Sequence, residues 1–309
     1  MNLGRSGVKV SRIALGCMSF GREADEEESI RMVNMAFDCG INFFDTANSY
    51  SNGRSEEILG EALRGRRNQV VLATKVSNPM GEAPNDRGCS RYHIVRAVED
   101  SLRRLKTDRI DLYQLHRFDP ETPLEESLVV LDDLVRWGKV LYIGCSNFTF
   151  QQLMDALGIG KSLGLRSFIS LQPMYNILKT EPETDLLPLC LKEGIGVIPY
   201  NPLAGGFVTG KYQPNRIPSV GTRLGDQTIY QERYLSEENF RRTSIFVEIA
   251  KRRGLNPIAL ALAWVASHPA VTSPIIGARN GKQLSETLKL ADVKISIEER
   301  DQISKEVWG

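Results

Sequence analysis

Short apolar, β-rich runs and amphipathic runs alternate along this chain almost without a break. Arg12 to Leu15 predicts a first strand, and Asp25 to Cys39 a helix that Gly40 ends. Asn42 to Asp45 is the second strand, and Ser55 to Arg64 its helix, with Ser55 expected as the N-cap ahead of acidic Glu56 and Glu57. Val70 to Val76 is the third strand. Ser90 should cap the helix that runs to about Leu105, where Ile94, Val95, Val98 and Leu102 share one face. The pattern continues with Ile110 to Leu115 and Leu124 to Trp137, then Val140 to Ile143 and Phe150 to Leu163, then Phe168 to Leu171 and Asp185 to Lys192. Gly196 to Pro199 is followed by a long irregular stretch, then by helices near Glu237 to Arg253 and Pro257 to Ser267. Ser273 to Ile276 and Lys282 to Leu290 form the last pair. Ahead of them all, Gly4-Arg5-Ser6-Gly7 marks the turn of a small hairpin.

Eight β-then-α units point to a parallel sheet, and strands apolar through their middles suit burial on both faces. The expected fold class is α/β, a (β/α)8 TIM barrel with a short N-terminal hairpin, as one domain over residues 1–309. An open doubly wound sheet would normally carry a phosphate loop after its first strand, and Leu15-Gly16-Cys17-Met18-Ser19 lacks the glycine spacing. Two glycine runs elsewhere are decoys. Gly205 to Lys211 fits GxxxxGK, but Tyr212 stands where a P-loop needs Ser or Thr. Gly158-Ile159-Gly160 with Gly164 mimics a dinucleotide fingerprint, but it follows a helix rather than a strand.

Composition narrows the function. With 41% apolar and 25% charged residues, and a net charge of +1 without a long basic run, the chain reads as globular with no nucleic-acid partner. Its five cysteines lie far apart with no CxxC pair, so neither a metal site nor a disulfide framework is expected, and reduced thiols suit a cytoplasmic protein. The N-terminus begins no signal peptide, and the most apolar stretch, Pro257 to Val265, is too short to span a bilayer, so no membrane partner is expected. Nothing in the chain specifies an oligomeric state.

In such a barrel, chemistry sits where the strands end at their C-terminal side. Strand two runs through Phe43-Phe44 into Asp45, strand three ends in Thr74-Lys75, and strand four ends in Gln114-Leu115-His116. An acid, an amine and an imidazole thus close three consecutive strands, and Tyr50 follows Asp45 closely enough to fold over the same mouth. A Lys near a phenol lowers its pKa, while an Asp keeps the Lys charged. The group suits protonation of a carbonyl oxygen while hydride arrives at carbon.

At these residues the sequence resembles the aldo-keto reductase superfamily. Phe44-Asp45-Thr46-Ala47-Asn48-Ser49-Tyr50, followed by Ser55-Glu56-Glu57-Ile58-Leu59-Gly60, is similar to its first signature, and Leu102 to Asp111 to its second. Gly144-Cys145-Ser146-Asn147-Phe148 and Ile275-Ile276-Gly277-Ala278-Arg279 extend the likeness along the chain. The resemblance implies a tetrad of Asp45, Tyr50, Lys75 and His116, with Tyr50 the general acid, Lys75 and Asp45 lowering its pKa, and His116 orienting a small carbonyl substrate. It implies NADP(H) bound without a Rossmann fold. Cys17, Met18 and Asp45 would be among the residues that bind it, with Ser146, Asn147 and Gln172 on its carboxamide side and Tyr200 stacked on the nicotinamide ring. The segment Asn201-Pro202-Leu203-Ala204-Gly205-Gly206 to about Arg223 resembles a cofactor-clasping loop, most like that of the potassium-channel β-subunit branch. Lys211 and Arg223 would then lie near phosphates, and Gly277, Arg279, Gln283 and Glu286 at the adenosine end. Thr287 departs from the pattern, which usually places Asn against adenine. A cofactor-sensing regulatory subunit is the competing class, and His116 argues against it because the channel branch carries Asn at the matching place. A sugar or polyol dehydrogenase would use the same acid and base in the oxidative direction.

Overall fold

A computed structural model describes residues 1–309. Eight strands, β1 (Ala14–Gly16), β2 (Phe43–Asp45), β3 (Val71–Val76), β4 (Ile110–Leu115), β5 (Val140–Ser146), β6 (Ser170–Gln172), β7 (Gly196–Val197) and β8 (Ile275–Ile276), pair in parallel in the order β7-β6-β5-β4-β3-β2-β1-β8. Single parallel bridges, Val197 with Val271 and Tyr200 with Ile275, bring the two ends of that order together. The result is the expected (β/α)8 barrel. Inside it, Leu3, Ala14, Phe43, Ala73, Leu112 and Ile198 pack as one small apolar cluster, while the main core lies between strands and helices.

The helices are α1 (Glu26–Asp38), α2 (Arg54–Ala62), α3 (Arg91–Leu105), α4 (Leu124–Arg136), α5 (Phe150–Ser162) and α6 (Leu186–Glu193), then α7 (Arg223–Asp226), α8 (Thr228–Tyr234), α9 (Glu237–Arg252), α10 (Pro257–Ala266), α11 (Gly281–Leu290) and α12 (Ile297–Trp308). Their starts are chemically marked. Asp25 accepts from Glu28 N, Ser90 from His93 N, and Thr149 forms a reciprocal capping box with Gln152.

Two expectations are corrected. Gly53, not Ser55, precedes α2, because a backbone φ of 91° there suits glycine. Ser55 lies inside the helix, where its Oγ donates to Cys17 O at 2.7 Å and meets Thr46 Oγ1 at 2.8 Å, tying α2 to the ends of β1 and β2. The second correction is α12, which the periodicity did not reveal. It packs against α9 and reaches the buried Trp264 of α10, over whose ring the Arg300 guanidinium lies at 4.6 Å.

The hairpin pairs Asn2 with Lys9 and closes the N-terminal mouth of the barrel. Arg5 N donates to Gly194 O at 2.7 Å, and any Cβ at Gly4, itself at φ +57°, would strike Ile169 O. The opposite mouth is left for chemistry.

Candidate active site

Alternation along each strand decides which side chains enter the barrel. On β3, Thr74 faces the helices and donates to Glu56 at 2.5 Å, which turns Lys75 inward. On β4, Gln114 faces inward two residues before His116, beside Gly144, where a Cβ would press within 3.3 Å of Gln114 Cγ. Asp45 ends β2 and Gln172 ends β6. All four side chains meet in the top layer of the interior.

Their geometry is specific. Lys75 Nζ lies 2.5 Å from Asp45 Oδ1, 2.8 Å from Thr46 O and 3.3 Å from the Tyr50 hydroxyl. The other carboxylate oxygen, Asp45 Oδ2, accepts from Gln114 Nε2 at 3.1 Å and Gln172 Nε2 at 2.9 Å. A buried ion pair costs desolvation unless further hydrogen bonds complete it, and here they do. The His116 ring packs edge-on against the Tyr50 ring, with centroids 5.6 Å apart.

The electrostatics differ from expectation in one respect. Burial pushes the Tyr50 phenol up, and Asp45 adds to this, so its pKa is raised overall although Lys75 pulls it down by charge and hydrogen bond. Lys75 loses some proton affinity to burial, but Asp45 and Tyr50 more than restore it, so it stays charged. Burial, with the charges of Lys75 and Arg117, holds His116 down to about 3, so the imidazole is neutral.

The cofactor candidates fall into two groups. Ser146 Oγ donates to Gln172 O at 2.8 Å, Asn147 (φ 56°) donates from Nδ2 to His116 O at 2.9 Å, and the Tyr200 hydroxyl donates to Asn147 Oδ1 at 2.9 Å. These three, with Gln172, form one rim of the mouth. Cys17 is buried at the end of β1 with its thiol pushed well up by burial, and Met18 beside it is half-buried. Asn201 (φ 63°) accepts from Gly205 N at 2.7 Å and donates to the Tyr234 hydroxyl, so Pro202 and Leu203 lead into a 3-10 turn (Ala204–Thr209) that contains Gly205 and is pinned to α8.

The second group gathers around Glu23. Arg223 Nη1 lies 3.0 Å from Glu23 Oε1 and Gln227 Nε2 3.1 Å from the same atom. Arg279 donates to Gly221 O at 2.6 Å and pairs with Asp226 at 3.0 Å, with Glu23 at 3.9 Å. Gln283 accepts from Arg279 N at 3.1 Å. Arg279 Nη2 is buried without a hydrogen-bond partner, and a Cβ at neighbouring Gly277 would meet nothing nearer than Gly16 O at 3.9 Å. This cluster holds one unpartnered cationic donor beside the carboxylates of Glu23 and Asp226. Lys211 does not join it: it is exposed and lies 5.0 Å over the Tyr212 ring, and Glu286 is exposed on α11. Thr287 is buried.

Sequence reasoning missed Gln114 and Glu23. Gln114 had a readable signal, a polar residue two positions before His116 on the inward phase of a strand. Glu23 had none, because its partners lie about two hundred residues away.

No helix is long and apolar enough to cross a membrane. The model of the aldo/keto reductase family matches residues 12–307. The chain is 39% identical over 298 residues to a probable voltage-gated potassium channel subunit beta of Arabidopsis thaliana, covering 94% of this chain and 90% of that protein. It is 39% identical over 307 residues to the uncharacterized oxidoreductase YrpG of Bacillus subtilis, covering 96% and 92%. It is 34% identical over 323 residues to the versiconal hemiacetal acetate reductase of Aspergillus parasiticus, covering 96% and 93%. With the barrel and its inward-facing acid, amine and phenol already in view, the chain belongs to the aldo/keto reductase family and is an oxidoreductase of that family.

Proposed function

We propose that this protein reduces an aldehyde or ketone to the alcohol with NADPH, using Tyr50 as the general acid. The observation that carries the reading is the Tyr50 hydroxyl 3.3 Å from an ammonium, Lys75, that is itself bound to Asp45 at 2.5 Å. The Ser146–Asn147–Gln172 rim with Tyr200, and Arg279 and Arg223, would hold NADPH, which when bound would supply hydride to the carbonyl carbon. The protein supplies the proton. Its raised pKa keeps Tyr50 protonated throughout the neutral range, so the acid form is always present. As the phenol gives its proton to the carbonyl oxygen, negative charge forms beside Lys75, which stabilises it without moving. Asp45 keeps Lys75 charged, and the two glutamine amides keep Asp45 from turning away. The neutral His116 ring, edge-on to Tyr50, orients the carbonyl oxygen between them.

Equal identity to a channel subunit and to a Bacillus oxidoreductase favours neither relative, and His116 favours the enzyme. The test is turnover of a panel of aldehydes and ketones with NADPH by the wild type and by Tyr50→Phe. General acid catalysis contributes about 10²- to 10⁴-fold, so the variant should lose that much turnover while still binding NADPH. Near-full reduction by Tyr50→Phe would remove Tyr50 from the mechanism.

A further inference from the structure

The loop after β3 turns back toward the site through an unusual residue. Ser77 has φ 127°, a conformation that side-chain-bearing residues rarely adopt and that persists only where its surroundings impose it. They do so here: Gly88 N donates to Ser77 O at 2.8 Å, and Ser77 Oγ lies 3.1 Å from Cys89 Sγ and 3.4 Å from Arg117 O. The turn delivers the next residue, Asn78, to the mouth of the barrel. Its Nδ2 lies 3.3 Å from Ser49 Oγ and 3.1 Å from His116 Nδ1.

With the amide turned so that Nδ2 faces both atoms, Asn78 donates and both of them accept. A neutral imidazole that accepts at Nδ1 carries its proton on Nε2. The backbone of His116 is already fixed on both sides, its N–H donating to Val76 O at 2.7 Å and its carbonyl accepting from Asn147 at 2.9 Å. The contact to Nδ1 is therefore what sets the ring. No protein group bonds Nε2. We propose that Asn78 is a positioning residue, which holds His116 as the Nε2–H tautomer and so makes the ring a hydrogen-bond donor, rather than an acceptor, toward the substrate carbonyl oxygen. The opposite tautomer would set a lone pair against the oxygen lone pairs and repel the substrate. Burial, with the charges of Lys75 and Arg117 near the ring, keeps it neutral, so the tautomer is what matters and not the charge. Ser49 belongs to the same segment as Tyr50, so one side chain couples the acid's loop to the orienting residue.

This inference rests on His116 orienting the carbonyl, and the test separates the two. The chain has three histidines, so nitrogen NMR of the ¹⁵N-histidine protein, with His116→Asn to assign the signals, reads the tautomer directly. The wild type should show an unprotonated Nδ1 and a protonated Nε2 at His116. Asn78→Leu should give a mixture of tautomers and lose roughly 5- to 10-fold in kcat/KM, the worth of about one neutral hydrogen bond. Asn78→Asp should do more, because a carboxylate draws the proton to Nδ1 and adds an ionisation to the pH–rate profile. Unchanged His93 and His268 signals would show that both variants fold. A protonated Nδ1 in the wild type, or an Asn78→Leu variant with unchanged tautomer and kcat/KM, overturns the proposal. Full activity in His116→Asn would instead overturn the orienting role of His116, while the nitrogen shifts still decide what Asn78 does to the ring.

Discussion

Cofactor preference can be worked from the charged cluster around Glu23. NADPH differs from NADH by a 2′-phosphate, and a charge-assisted bond from Arg279 to it would contribute about 1.5–3 kcal/mol, roughly 10- to 100-fold in affinity. That range holds for a guanidinium with nothing else to bind. Arg279 is already engaged with Gly221 O and Asp226, both through Nη1, and Nη2 is buried without a hydrogen bond. A phosphate has to compete with the Asp226 and Glu23 carboxylates for this guanidinium, which places the preference near the low end, about 10-fold. Arg279→Ala should bring the two dissociation constants to within about 3-fold by weakening NADPH alone. Glu23→Gln removes the carboxylate that both Arg223 and Arg279 face. It should strengthen NADPH by about 3- to 10-fold and NADH by less, since a like-charged neighbour of the phosphate is gone. The assay is a titration of each variant with each cofactor at about 50 and about 300 mM salt, where screening should weaken NADPH more than NADH. Equal wild-type constants would refute the phosphate role of Arg279. A preference that survives Arg279→Ala would move the phosphate to Arg223, and a Glu23→Gln variant that loses NADPH affinity would show that the carboxylate orders the arginines rather than opposing the ligand.

Two further outcomes follow from the buried site. Lys75→Met leaves Asp45 charged and unpaired beside Gln114 and Gln172, so stability should fall by about 3–5 kcal/mol in a denaturant melt, and the Tyr50 phenol, freed of its cation, should titrate higher still in a spectroscopic titration. An unchanged melt would mean that the pair is not stabilising. His116 takes a proton near about pH 6.5 when unfolded but only near about 3 when folded, so between those values the unfolded chain binds more protons and stability falls as pH drops. The slope is at most about 1.4 kcal/mol per pH unit, less for a partly exposed ring, and His116→Asn should flatten the stability–pH curve in that window. Parallel curves for the two proteins would contradict a depressed pKa.

The strand ends were readable because they obey a local rule. Asp45, Lys75 and His116 each close an apolar run, and the barrel convention puts such ends on one rim, so three side chains could be placed together before any contact was known. Tyr50 followed from distance along the chain alone. What could not be read was set by partners far away in sequence. Ser55 looks like a cap because it precedes two glutamates, yet its hydroxyl is used across the barrel by Cys17 and Thr46. The net rise in the Tyr50 pKa depends on how deep the phenol sits, which no motif encodes. The helix α12 had a local sign that periodicity overrode: Ser296 and Glu299 form a capping box, but the helix carries too few apolar positions to draw an amphipathic stripe.

The closure of the barrel has a mechanical consequence. β3, β4 and β5 run six, six and seven residues with continuous ladders, whereas β7 and β8 have two residues each and join only through the bridges of Val197 and Tyr200. Lys75 and Gln114 ride on the stiff side, and the segment that carries Arg223 leaves from the seam. Amide exchange should accordingly be slowest across Ala73 to Val76 and Leu112 to Leu115 and fastest at Val197 and Ile275. Under the proposed function, the seam would be the part of the wall that yields as the cofactor enters and leaves, while the side carrying Lys75 and Gln114 would hold its ångström-scale geometry.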